Sequence, residues 1–301
     1  MARCMVTGGA GFIGSNLIDE LIKQGDEVVI IDDLSTGYER NIHPEAEFHK
    51  VDIRDIEAIK PLFKDINYVY HLAAFTRVQP SIDDPYPVHD INMNGTFNVL
   101  LAAKEAGVKK LVYSASCAAY GDNEDMPLKE TAPVKPMSPY ALQKYTGELY
   151  CSVFSRVYGL PTVALRYFNV YGPRLVTEGS YASVIGIFAD QRLRGEPMTI
   201  TGDGEQSRDF VSAYDVARAN IIASRNEDLE GGTVINIGTG KDWTVNQIAK
   251  FIGGPIKYLP PRLEPKVSRA DNTLARKLLG WEPSVHLPDW IEMYKKEMGL
   301  S

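Results

Sequence analysis

The chain has 301 residues, enough for one large domain or two modest ones with a well-buried core, which excludes a mini-protein that needs staples. Apolar residues make up 44% and charged residues 24%, the balance of an ordinary globular protein rather than a disordered, collagenous or coiled-coil one. The formal net charge is −7 with no run of Lys or Arg, so the sequence lacks the footprint of a nucleic-acid binder, and any anion must be held by local geometry.

The first half alternates β-rich runs at 3–6, 28–31, 47–51, 68–72, 110–114 and 162–166 with stretches of helical apolar spacing, the rhythm of βαβ units. Runs such as VVII and YVYHL are almost continuously apolar, as strands buried on both faces of a parallel sheet must be. From about Val170 the rhythm breaks into Gly- and Pro-rich stretches, and strand-like runs return at 210–211 and 234–237. The reading is an α/β protein of Rossmann type, a doubly wound parallel sheet with helices on both faces, plus a smaller α/β substrate-binding lobe. Residues 1–169 with 209–240 would form the first unit and 170–208 with 241–301 the second, with a proline-rich irregular crossing at 255–265. The three cysteines, Cys4, Cys117 and Cys151, are too few and too irregularly spaced for a disulfide framework or a zinc site. No metal is expected, and a reducing, cytoplasmic setting fits. Residues 1–5 run straight into the first strand without a leader, and no apolar stretch reaches the roughly 18 residues of a membrane span, so no membrane contact is expected.

The first strand leads into T-G-G-A-G-F-I-G, which opens a helix with apolar Phe12, Ile13, Leu17, Ile18 and Leu21. Gly8, Gly11 and Gly14 give G-x-x-G-x-x-G, while Gly9, Gly11 and Gly14 satisfy G-x-G-x-x-G. In either frame the missing Cβ atoms let backbone approach a pyrophosphate seated on the helix N-terminus. The second strand ends at Asp32, about twenty residues on, where a carboxylate accepts hydrogen bonds from an adenosine ribose. Asp33 follows and no Arg is adjacent; this pair would repel a 2′-phosphate, which selects NAD over NADP.

Tyr140 and Lys144 stand four apart at the start of a helix, so phenol and ammonium share a face. A tyrosine with a free pKa near 10 is a poor base at neutral pH, and the lysine together with a positive nicotinamide ring is expected to lower it. Ser116 follows the strand 110–114, at the carboxyl end of a parallel sheet where ligands bind, and its hydroxyl can bridge a substrate oxygen and the tyrosine.

With the glycine loop, Asp32, Ser116 and Tyr140/Lys144 together, the chain resembles the extended short-chain dehydrogenase/reductase superfamily, and within it the NAD-dependent epimerase/dehydratase family, most closely the UDP-glucose and UDP-N-acetylglucosamine 4-epimerases. The family pattern also matches H-L-A-A at 71–74, N-x-N-G-T at 92–96, R-Y-F-N-V-Y-G-P-R at 166–174, G-D-G-E-Q-S-R-D-F at 202–210 and L-L-G-W-E-P at 278–283. The resemblance implies cofactor contacts from Gly8, Gly11, Phe12, Ile13 and Gly14 at the pyrophosphate, and from Asp32, Asp33, Ser35, Thr36 and Gly37 around the ribose. Asp52 and Ile53 would flank the adenine. Leu72, Ala73, Ala74, Thr76, Asn92, Ser114, Tyr140, Lys144, Tyr167, Asn169 and Val170 would complete the cofactor set, with the nicotinamide between the Ala73/Ala74 strand end and residues 167–170. For the substrate it implies Arg77, Ser116, Tyr140, Asn169, Ser183 and Val184, with Arg208 and Arg262 on the diphosphate.

Members of this family first oxidise the sugar C4 hydroxyl, so the fate of the ketone distinguishes them. The resemblance places an Asp-Glu pair beside the catalytic Ser or Thr in 4,6-dehydratases and a Glu in glucuronate decarboxylases. Here the segment reads Ser116-Cys-Ala-Ala-Tyr120, which implies epimerisation, a reaction that needs no further group. The alternatives are a UDP-glucuronate 4-epimerase or decarboxylase, or a 4,6-dehydratase. The acid/base cysteine of related GDP-sugar enzymes falls at Ala118, so Cys117 reads as a small packed residue. The segments 179–185 and 81–85 look like those of UDP-N-acetylglucosamine 4-epimerases, and Ser268, three before Asp271, falls where the family gates the sugar's 2-substituent. The family's R-x-x-D/E reads Arg262-Leu-Glu264, one residue short, which leaves the role of Glu264 open. The resemblance also implies a homodimer through a four-helix bundle of the helices 88–106 and 140–158 of each subunit.

Overall fold

The computed structural model describes residues 1–76, 78–177, 183–261 and 264–300. Seven parallel strands form the main sheet in the spatial order Thr233–Ile237, Thr162–Tyr167, Lys110–Ser116, Tyr68–His71, Arg3–Thr7, Glu27–Asp32, Glu47–Lys50. The chain enters at an interior strand, Arg3–Thr7, builds outward to one edge and then returns to build the other. Strand order therefore reverses between Arg3–Thr7 and Tyr68–His71, the place where open parallel sheets bind ligands.

The inner strands are buried on both faces, while the edge strand Glu47–Lys50 is partly exposed. Val28 and Ile30 join a core with Val6, Leu17, Tyr70, Ile235 and Trp281, while Val29 and Ile31 face the other way into a core with Met5, Val69, Val99 and Phe154. The two-residue alternation of a strand thus feeds two apolar layers, each roofed by helices.

The helix Pro139–Tyr158 begins where sequence chemistry directs: the Ser138 side chain accepts from Ala141 N, Pro139 occupies the first turn, and Gly159 ends the helix at φ +70°. The stretch expected as one helix at 88–106 is a helix Pro85–His89, a π-helical turn Asp90–Gly95 and a helix Thr96–Ala106.

Beyond the main sheet, Ser207–Ser212 pairs with Asn169–Tyr171, Asp242–Thr244 and Val267–Ser268, and Met198–Thr201 pairs with Ile256–Leu259. Tyr171, Phe188, Ile200, Phe210, Ile248 and Trp290 pack a third core behind them. The region 255–265, expected as an irregular crossing, holds the strand Ile256–Leu259. A four-residue strand between prolines is too short to display an alternating pattern, and its partner lies far away in sequence.

Candidate active site

The turn after the first strand is shaped by three glycines. Gly8 has φ +73°, and a Cβ there would lie 2.6 Å from Ala73 N, at the end of the neighbouring strand. A Cβ on Gly14 would collide with the Gly8 carbonyl, and one on Gly11 would meet only that carbonyl, at 3.1 Å. Gly9 is different: it packs against Ile18 and Ile30. The two sequence frames are thereby separated, with Gly8, Gly11 and Gly14 lining the cleft and Gly9 belonging to the core. Helix Phe12–Lys23 starts after Gly11 with no side chain capping its first N–H groups, which keeps those donors and the positive dipole end for an anion.

Asp32 accepts from Ala10 N at 2.9 Å and from Leu34 N at 2.8 Å. Burial raises its pKa, against these two bonds. A Cβ on Gly37 would lie 2.8 Å from Asp32 Oδ1, so the bare glycine keeps that carboxylate approachable. Asp33 instead accepts from Ser35 N and Oγ, at 2.9 and 2.6 Å. Thr36 lines the cleft beside Ser35. At the far end Asp52 is clasped by Arg54, whose guanidinium also reaches Asp90 at 2.9 Å, and these bonds hold the Asp52 carboxyl below its usual range. Ile53 lines the cleft next to Asp52 and packs against Gly95, where a Cβ would sit 2.5 Å from its side chain.

The cleft continues past Leu72, Ala73, Ala74 and Thr76 to Ser114, Ser116, Tyr140 and Lys144, then to Tyr167, Asn169 and Val170. The strand expected to stop at 114 runs through Ser116, which fixes the serine by ladder bonds rather than leaving it in a turn. Ser116 Oγ accepts from Ala118 N at 3.2 Å, and the serine hydroxyl stands beside the Tyr140 phenol, where it favours the ionised form. Lys144 Nζ donates to the Ser114 carbonyl at 2.8 Å and lies 5.2 Å from the Tyr113 ring centre.

Burial pushes the Tyr140 phenol up to about 12, against the pull of the Ser116 hydroxyl, and brings the Lys144 ammonium down to about 8. Without the positive nicotinamide ring that the expectation includes, burial dominates and the phenol stays protonated at neutral pH.

Asn92 does not line the cleft. Its amide accepts from Phe75 N at 2.7 Å and donates to Phe75 O at 3.0 Å and to Gln143 Oε1 at 2.9 Å. It therefore clasps the loop after the fourth strand to the helix carrying Tyr140 and Lys144. Tyr167 donates to Asn220 Oδ1 at 2.8 Å, and Asn169 donates to the Asp209 carbonyl at 3.0 Å.

On the opposite side, Ser183 lines the cleft with Val176 and caps helix Val184–Leu193 by accepting from Gly186 N. Val184 packs on the third core. Arg208 donates to Glu264 at 2.8 Å and to the Ser207 carbonyl at 2.8 Å, which gives Glu264 a partner that spacing left undefined. Ser268 runs alongside Arg208 in the ladder and stands near the Cys117 thiol, which burial pushes up to about 11. The thiol is thereby kept protonated and unreactive. Arg77 and Arg262, both expected at the substrate, lie outside the described residues, as does part of the segment 179–185.

Sequence reasoning missed Asp209. Fully buried, it accepts from Thr239 N and Oγ1, Gly240 N and Ala270 N, so the neighbour of Arg208 anchors two loops at once. A carboxylate inside the Arg-Asp-Phe run was the available signal.

The model of the NAD dependent epimerase/dehydratase family matches residues 4–238, well over half of the chain. The chain belongs to that family. A putative UDP-glucose 4-epimerase of Methanocaldococcus jannaschii is 41% identical over 96% of this chain and 95% of its own length. Among solved structures, the Thermotoga maritima UDP-glucose 4-epimerase with UDP-glucose is 40% identical and superposes with a TM-score of 0.92, covering 98% of this chain and 99% of that one. The UDP-N-acetylglucosamine 4-epimerase of Methanobrevibacter ruminantium, in complex with UDP-N-acetylmuramic acid, is 38% identical with a TM-score of 0.92, over 99% and 97% of the two chains. The family's cofactor is NAD, and the residues present fit it: a bare-glycine cradle at an uncapped helix start and a buried carboxylate beside Gly37 match a pyrophosphate and a ribose diol.

Proposed function

We infer that the protein is a UDP-hexose 4-epimerase. It interconverts the C4 configurations of UDP-glucose and UDP-galactose, and of UDP-GlcNAc and UDP-GalNAc, through a transient 4-keto sugar. The observation that carries this reading is the Tyr140–Ser116 pair at the strand end beside the glycine cradle, followed by Cys117, Ala118, Ala119 and Tyr120 with no carboxylate. Such a site can remove and return a proton at an alcohol but has no second acid there to expel water or drive loss of CO2.

NAD supplies the acceptor and later donor of the hydride at sugar C4. Tyr140 takes the C4 hydroxyl proton and returns it, and Ser116 holds that oxygen against the phenol. With the phenol at about 12 in the chain alone, the base form depends on positive charge nearby, from Lys144 and the oxidised nicotinamide. Lys144 also reaches the nicotinamide ribose. Asp32, with Ser35, Thr36 and Gly37 around it, takes the adenosine ribose, and Asp52 and Ile53 flank the adenine. Arg208, Arg262 and Asn169 hold the diphosphate, which neutralises substrate charge locally in a chain of net −7. Arg77 and Ser183 complete the sugar side, and the small Ser268 leaves room for a 2-acetamido group. The dinucleotide-binding unit is 1–169 with 209–240, and the sugar-binding lobe is 170–208 with 241–301.

A homodimer in the cytoplasm completes the reading. Leu142, Leu149, Val153 and Val157 repeat on one face of Pro139–Tyr158 and are 39–65% exposed, with Phe97 of the adjacent helix 40% exposed. A continuous apolar face of this kind suits the isologous contact of a four-helix bundle. Among the described residues no helix is long and apolar enough to cross a membrane. Leu149→Glu combined with Val153→Glu is expected to give a monomer in sedimentation velocity; a dimer that persists would place the interface elsewhere.

The deciding experiment incubates the protein with UDP-glucose, UDP-GlcNAc and UDP-glucuronate, with readout by mass and chromatography. C4 epimers of unchanged mass from the first two are expected. Loss of CO2 or of water would overturn the reading, and turnover of UDP-glucuronate alone would move it to the uronate epimerases.

A further inference from the structure

We propose that Glu148, locked in place by Arg166, is a positioning residue that keeps the Lys144 ammonium charged and fixed on the catalytic helix. The proposal rests on the roles given above to Tyr140 and Lys144. Tyr140, Lys144 and Glu148 follow one another at four-residue steps, so they form a single stripe on helix Pro139–Tyr158. The carboxylate lies one turn deeper than the lysine, in the interior.

Glu148 and Arg166 have side chains 2% and 4% exposed. Arg166 Nε and Nη2 donate to the two carboxylate oxygens at 2.9 and 2.7 Å. Arg166 is itself held, donating to the Glu130 carbonyl and lying 4.7 Å from the Tyr120 ring centre. Glu148 therefore has one available orientation. A buried ion pair is a weak stabiliser compared with apolar residues of similar size, and no step of the epimerisation touches it. Its placement calls for another role.

Lys144 supplies that role. It is 3% exposed, donates to the Ser114 carbonyl and rides on the face of Tyr113. Tyr113 reaches this place because Gly147 has no Cβ, which would collide with the tyrosine hydroxyl. The groups around the ammonium come from four elements. The helix brings Tyr140 and Glu148, the strand Lys110–Ser116 brings Tyr113 and the Ser114 carbonyl, and the strand Thr162–Tyr167 brings Arg166 behind Glu148. The strand Tyr68–His71 brings His71, bonded to Thr7 and Thr96 and kept neutral by burial with a pKa down at about 3. Glu148 is the one anion in this set. Its field opposes the burial that pulls the lysine down to about 8, and the two-point grip of Arg166 fixes the carboxylate. Where Lys144 is charged it can draw the phenol toward its base form; neutral, it cannot.

The test reads the lysine directly. In ¹⁵N-lysine-labelled protein the Lys144 ammonium signal, assigned by its absence from Lys144→Met, is expected to titrate near pH 8. In Glu148→Gln it is expected to titrate about one unit lower, the scale of losing one charge a helical turn away. The basic limb of kcat for UDP-glucose should fall by the same amount. Because Gln leaves Arg166 charged and unpaired in the interior, a second protein carries Glu148→Met with Arg166→Met, which restores packing without the charges and should shift the lysine in the same direction. A Lys144 titration unmoved in the folded variants, with only Tm reduced, would overturn the proposal. Absence of turnover of any UDP-sugar by the unmodified protein would sink the epimerase reading instead, and the ammonium titration would still decide the role of Glu148.

Discussion

Replacing Tyr140 with Phe should lower kcat by about 10²–10⁴-fold, the range for losing a positioned acid–base group, with bound NAD retained. The substitution removes one hydroxyl and keeps the ring. The helix start depends on Ser138 and Pro139 rather than on the phenol, and the Tyr140 main-chain N–H continues to donate to Ser81 Oγ. Ser116 keeps its bond from Ala118 N. The glycine cradle and Asp32 lie away from the phenol, on the first and second strands, so cofactor content measured by absorbance after gel filtration should be unchanged. KM for the UDP-sugar should change little, because the lost interaction is one that strengthens only as the proton moves. A variant that retains full turnover would remove Tyr140 from the chemistry.

Replacing Ser268 with Tyr should separate the two substrate pairs. Ser268 contacts Cys117, which directly follows Ser116, and it sits on a two-residue strand beside Arg208. On the reading that Ser268 gates the 2-substituent, a larger side chain at this point would occupy the space of the acetamido group. Turnover of UDP-GlcNAc is expected to fall by about 10–100-fold, equivalent to the roughly 1–3 kcal/mol of forcing bulk into filled space, while UDP-glucose is spared. Equal losses on both would show that Ser268 does not face the 2-substituent.

The dinucleotide half was legible because its signals are redundant. Val28, Val29, Ile30 and Ile31 are apolar without a break because the strand is covered on both faces, and glycines, helix start and Asp32 fall at spacings set by one ligand. What remained hidden depended on backbone detail or on distant partners. The positive φ of Gly8 and the apolar contacts of Gly9 decide between two frames that the letters satisfy equally. Asn92 reads as a ligand in a motif, yet the π-helical turn aims its amide at Phe75 and Gln143; one extra residue in a turn leaves no mark on an apolar pattern. The lysine–tyrosine spacing was visible, whereas the burial that raises the phenol was not. The short strands of the second half, such as Val267–Ser268, exist only through pairing with Ser207–Ser212, so no local run of residues could announce them.

The amide clasp at Asn92 has a consequence for local opening. Phe75 lies in a loop, but its N–H is held by a side chain that is 2% exposed and tied to the catalytic helix. Deuterium is expected to enter at that amide when the loop leaves the Asn92 side chain. Loop amides ordinarily exchange at the low-protection end of a protein, while cooperative units exchange together. Phe75 is therefore expected to exchange with the interior, and its rate would measure how often this wall of the cleft comes apart.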